Sequence, residues 1–177
     1  MQPIGGACLC RRSGRAEETS FHILKKCISV HEPRCSRRNI IEHQIITKLQ
    51  SRHPGAQGTS ERLIRDGEGS AFLPDIVLCR ADKVFILDVA VTWDATPVAV
   101  DGACTAKKEK YRSLVPVFSP KPVEVLGLAF SARGLVVPKT RRAARVVGVI
   151  EGELGWLAAR TIVDRIIGLN RFARICC

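Results

Sequence analysis

Residues 72–93, FLPDIVLCRADKVFILDVAVTW, most narrow what this chain can fold into. Two aliphatic, β-branched runs, Ile76-Val77-Leu78 and Val84 to Val91, are separated only by Cys79-Arg80-Ala81-Asp82-Lys83. Near-continuous apolar runs of this length read as strands buried on both faces. A link this short makes them neighbours in an antiparallel pair, with the CRADK segment as the turn. Each run carries an aspartate that burial should penalise: Asp75 follows Pro74, and Asp88 interrupts the second run. Antiparallel pairing brings the start of the first strand to the far part of the second, so Asp75 and Asp88 meet at one edge. Two carboxylates there suffice for a hard divalent cation such as Mg²⁺, which keeps several of its waters. Asp82 is read as a turn residue.

The flanking chain reads as alternating elements. Apolar positions 41, 45, 46 and 49 predict a helix over 37–50, and Pro, Gly and Ser mark 51–60 as a loop. Residues 94–105 read as a loop, 106–114 as a helix, and 123–130 (VEVLGLAF) as a third buried strand punctuated by Gly134. Helices follow at 140–150 and 154–172, with Leu157, Ile162, Ile166 and Leu169 near one face of the second. The order helix, strand, strand, helix, strand, helix predicts a small α/β domain, a mixed sheet flanked by helices.

Charge suggests the partner. The chain carries a formal +11, unevenly spread: +6 over residues 1–66 (12 Lys/Arg, 6 Asp/Glu), −4 over 67–104 (2 against 6) and +9 over 105–177 (14 against 5). An acidic centre between basic arms suits a metal site that works on nucleic acid, with carboxylates for the ion and cations for phosphates. Arg11, Arg12, Arg37, Arg38, Arg141 and Arg142 are the candidate phosphate contacts. No apolar run approaches the roughly 20 residues of a membrane span, so no membrane role is expected. Eight cysteines without a secretory signal argue for reduced thiols in an intracellular compartment.

Four of those cysteines lie in the first 36 residues. Cys8-Leu9-Cys10, His22 and Cys27 supply the thiolates and imidazole of a closed tetrahedral zinc site, and His31 or Cys35 could replace Cys8 or Cys10. A segment this short lacks a core, so metal binding would be its folding energy. The expected division is a zinc knuckle over 1–36 and a catalytic domain over 37–177.

Pro74-Asp75, then Asp88-Val89-Ala90, then a lysine-bearing helix, resembles the PD-(D/E)xK restriction-like nuclease superfamily. More closely, ETSFHILKKC, RRNII, LPDIVL, VFILDVAV and KKEKY, in that order, resemble the C-terminal part of site-specific non-LTR retrotransposon proteins, the type that inserts in ribosomal RNA genes. The resemblance implies a CCHC zinc knuckle (Cys8, Cys10, His22, Cys27) and a restriction-like endonuclease that nicks DNA to prime reverse transcription. It implies Asp75 and Asp88 as Mg²⁺ ligands. The superfamily lysine position, two residues after the second acid, is Ala90 here, and the retrotransposon branch moves the lysine to the next helix. Lys107 and Lys110, one turn apart before Tyr111, are therefore the catalytic candidates; Lys108 is read as facing solvent or phosphate. Glu42 is a possible third acid. The resemblance further implies DNA as the partner, with RNA a second candidate, a longer reverse transcriptase polypeptide, and a nuclear location. The alternative is a catalytically inactive, nucleic-acid-binding remnant of such an element.

Overall fold

The computed structural model describes residues 8–93 and 96–174. Helix α1 (His31–Arg52) leads into β1 (Gln57–Ser60), β2 (Ile64–Arg65), β3 (Ala71–Phe72), β4 (Ile76–Cys79) and β5 (Val84–Thr92). Helix α2 (Pro97–Lys110) crosses to β6 (Val123–Ser131), followed by α3 (Pro138–Val146) and α4 (Glu151–Arg174). The result is a mixed α/β architecture. Its four-stranded sheet has the order β1-β4-β5-β6, and β2 and β3 form a separate two-stranded ribbon.

The short CRADK link forces β4 and β5 antiparallel, with Ile76 opposite Leu87 and Cys79 opposite Val84. β5 and β6 run parallel from the Val84–Val123 pair to the Thr92–Ser131 pair, with α2 in the crossover that parallel strands require. Side-chain alternation then sorts the two faces. Ile76, Leu78, Phe85, Leu87 and Val89 pack with Ile41, Ile45 and Leu49 of α1 and Leu157 of α4. Val77, Ile86 and Val125 pack on the other face with Tyr111 and Leu114, and Ala129 meets Val100 and Cys104 of α2. By the period of two, Asp75 and Asp88 belong to that second face. There α2 lies so close that a Cβ on Gly127 would come within 2.3 Å of the Cys104 carbonyl oxygen.

Four expectations need correction. Residues 57–60 are a strand, not a loop: β1 is polar and edge-placed, paired to β4 from Gln57–Cys79 to Ser60–Ile76, so its structure comes from ladder hydrogen bonds that no apolar period announces. Residues 97–105 belong to α2, not to a loop. Thr96 caps that helix by accepting from the Ala99 N–H at 3.3 Å, and Pro97 opens it. In α4 the buried stripe is Leu154, Leu157, Ala158, Thr161, Gly168 and Phe172. Ile162 and Ile166 are exposed, because the helix docks on the sheet through Thr161, whose hydroxyl donates to the Ser131 carbonyl at 2.8 Å. Finally, the helix expected over 37–50 starts earlier and ends later, running unbroken from His31 to Arg52.

Candidate functional site

Extending the β4–β5 register one step sets Asp75 opposite Asp88. Both are buried, at 3% and 1% exposure. Asp75 Oδ2 accepts the backbone N–H of Val89 at 2.7 Å. Asp88 is held from α2 instead: Oδ1 is ion-paired with Lys107 Nζ, and Oδ2 accepts the Tyr111 hydroxyl. That hydroxyl also reaches the Leu73 carbonyl at 3.0 Å and accepts from Lys110 Nζ at 2.8 Å. Lys107, Lys110 and Tyr111 sit three and four residues apart, so one turn of the helix delivers all three. The sequence-predicted acids and lysines are thus brought together.

Glu42 joins them from α1. It is 4% exposed, and burial first, then the charge of Asp75, raise its carboxyl to about 7. Burial and the Asp88 charge likewise raise Asp75. Arg38, one turn earlier on α1, sets Nη1 3.7 Å from Asp75 Oδ1 and Nη2 2.6 Å from Glu61 Oε1. Glu61 has φ 47°, a left-handed conformation unusual for a residue with a side chain, and its N–H bonds the Asp75 carbonyl at 3.2 Å. Glu61 went unread because its exposed loop context gives no periodic signal.

A second group lies at the N-terminus. The ligand atoms of Cys10, His22 and Cys27 all lie within 4.8 Å of one another, and all three side chains are buried. Among the described residues no other three His, Cys, Asp or Glu side chains close so tightly. The two sulfurs are 3.8 Å apart, the separation that tetrahedral geometry gives for metal–sulfur bonds of about 2.3 Å. His22 Nδ1 is buried with no hydrogen-bond partner, while Nε2 meets Ser13 Oγ at 3.0 Å. Burial opposes ionisation of Cys10, but hydrogen bonds from Ser13, Arg12 and Cys27 outweigh it and lower the thiol to about 6. A buried imidazole nitrogen without a partner and an acidic thiol suit a metal ion such as zinc. Cys8 is exposed and outside the group, and His31 pairs with Cys35 at 3.5 Å. The group packs on Phe172 and Leu169 of α4.

The six arginines divide. Arg37 is buried, with burial lowering its pKa, and Arg38 serves the acids. Arg11 binds Glu18 at 2.6 Å, Arg12 donates to the Phe172 carbonyl at 2.6 Å, and Arg141 is ion-paired with Glu151. Arg142 is exposed and lines a groove between α2 and α3. A cationic aromatic cluster was not foreseen: Phe21 meets Trp93 edge-on at 6.4 Å, Lys25 and Lys26 lie near the Phe21 ring, and Arg133 and Arg165 near the Trp93 ring. Its members come from four separate segments, which hides it in the sequence.

No family model matches this chain, and no curated protein matches it. Among the described residues, no helix is long and apolar enough to cross a membrane.

Proposed function

We propose that this chain is a metal-dependent DNA endonuclease domain of the restriction-like type, akin to the C-terminal region of site-specific non-LTR retrotransposon proteins. One observation carries the reading: two buried carboxylates, Asp75 and Asp88, stand opposite each other on adjacent strands with Lys107 ion-paired to one of them. Burial raises Asp75 and the like charge of Asp88 raises it further, and a divalent cation offsets both. Asp75 and Asp88 would hold Mg²⁺, with Glu42 as a third acid. When bound, the ion supplies Lewis-acid polarisation of the scissile phosphate and a more acidic attacking water.

The chain's own residues do the positioning. The Val89 N–H fixes Asp75, and the Tyr111 hydroxyl, accepting from Lys110, fixes Asp88. Lys107 supplies positive charge where negative charge develops on the phosphate. Cys10, His22 and Cys27 would hold a structural zinc that orders the N-terminal segment. Phe21 and Trp93 with their cations offer stacking and phosphate contacts for DNA or RNA. On this reading the domain belongs to a longer reverse transcriptase polypeptide acting in the nucleus.

The test is incubation of purified chain with supercoiled plasmid and Mg²⁺, with Asp88→Ala and a chelator as controls. Nicking lost in both controls supports the reading. A folded, zinc-loaded, DNA-binding protein that does not nick overturns it and leaves the inactive nucleic-acid-binding remnant.

A further inference from the structure

β6 forms one edge of the four-stranded sheet. The parallel register fixes which of its peptide groups face outward. The Val84 N–H bonds the Pro122 carbonyl, so even-numbered residues of β6 face β5 and odd-numbered ones face away. The outer edge is closed in its second half. Thr140 Oγ1 donates to the Ala129 carbonyl at 2.7 Å and meets the Ala129 N–H at 3.3 Å. The Ser131 N–H bonds the Leu135 carbonyl at 3.0 Å, and its carbonyl accepts from Thr161.

No such partner reaches Val123, Val125 and Gly127 among the described residues. These residues line two adjoining cavities, of about 480 and 160 Å³, which share Lys108, Arg112, Glu124 and Val125. Four cations rim this groove: Lys108 and Arg112 on one side, Lys139 and Arg142 on the other. The two acids beside them are already engaged, Glu109 by Arg112 at 3.0 Å and Glu124 by Lys83. Lys139 pairs with Asp101 at 3.3 Å, while Lys108 and Arg142 make no ion pair among the described residues.

We propose that this groove docks an extended acidic peptide segment, added to β6 as a further strand. An unpaired edge offers alternating donors and acceptors at strand spacing, which a peptide backbone satisfies and a row of phosphates does not. Val115 and Val146, exposed apolar residues that line the groove, take alternate side chains, and Lys108 and Arg142 take carboxylates. This function is separate from cleavage, because the groove shares no residue with the acid cluster.

Fluorescence anisotropy at low salt, with the whole zinc-loaded chain, tests it. The probes are a labelled Glu-Val-Glu-Val-Glu-Val peptide, its form N-methylated at alternate amides, and a ten-residue oligothymidylate competitor. Binding should weaken by about tenfold on N-methylation, which removes strand hydrogen bonds. A comparable loss, about tenfold, is expected for Lys108→Glu with Arg142→Glu. Val125→Pro should also block docking, since its lost N–H faces outward and no ladder bond is broken. If that variant does not fold, the charge pair still decides. No binding, binding indifferent to N-methylation, or full displacement by the oligothymidylate at equal concentration overturns the proposal.

Discussion

The Asp75 carboxylate accepts the backbone N–H of Val89, the residue after Asp88, at 2.7 Å. One strand therefore steadies the acid of the other, and the pair cannot separate unless the ladder opens. With both carboxylates buried, the arrangement is costly in the absence of a compensating cation.

Two substitutions separate binding from chemistry. Asp88→Asn keeps the shape but removes the charge that faces Lys107 and Tyr111. Lys107→Met removes the cation alone. Both should reduce plasmid nicking by about a hundredfold or more while leaving salt-dependent DNA binding intact. Binding lost together with nicking would show that these residues serve the fold or the grip.

Glu42 sets a pH signature. Its carboxyl rises from an ordinary 4.5 to about 7 in the fold, so the folded state keeps a proton that the unfolded chain releases. Stability is then highest below the lower value and falls as pH rises through the upper one. Glu42→Gln should leave stability near pH 4 unchanged and raise it at pH 8 by about 1–2 kcal/mol in magnesium-free buffer. The raised Asp75 adds a slope of the same sign, so the pH dependence is reduced rather than abolished. Urea melts at both pH values read this directly, and an unaltered slope would contradict it.

Tyr111→Phe deletes one oxygen that serves three groups: Asp88, the Leu73 carbonyl and Lys110. Leaving buried acceptors short of a donor should cost about 1–2 kcal/mol. Nicking should also fall, because Asp88 loses its orienting bond. A variant equally stable and active would remove Tyr111 from the site.

The N-terminal group predicts metal content. Purified chain should carry about one equivalent of zinc, and Cys27→Ser should lose it, since two buried thiolates and an imidazole form the group. Cys8→Ser should retain it, because Cys8 is exposed and outside the group. Elemental analysis after gel filtration decides, and loss of metal in Cys8→Ser would make Cys8 a ligand.

Gly127→Ala tests the closeness of α2 to β6. A methyl group 2.3 Å from the Cys104 carbonyl cannot be accommodated without moving backbone. Thermal melting should show a loss of about 1–3 kcal/mol. Gly102→Ala, where a Cβ meets nothing within 4 Å, is the control and should be neutral or stabilising.

What the sequence by itself determined is local. The two apolar runs and their five-residue link specify paired strands, and the pairing brings Asp75 to Asp88, because a short turn leaves few registers. Lysine spacing of one helix turn likewise places Lys107 and Lys110 on one face, where Lys107 meets Asp88 and Lys110 meets the Tyr111 hydroxyl. Tertiary structure decided everything that joins distant segments. β1 exists because β4 offers it a ladder, and Glu61 takes its unusual φ against Asp75. Arg37 is buried and Arg38 turns to the acids, although the two are adjacent in the chain. Charge and spacing mark a residue as able to do something. Which side chain meets which depends on how helices dock on a finished sheet, and that is settled by contacts far apart in sequence.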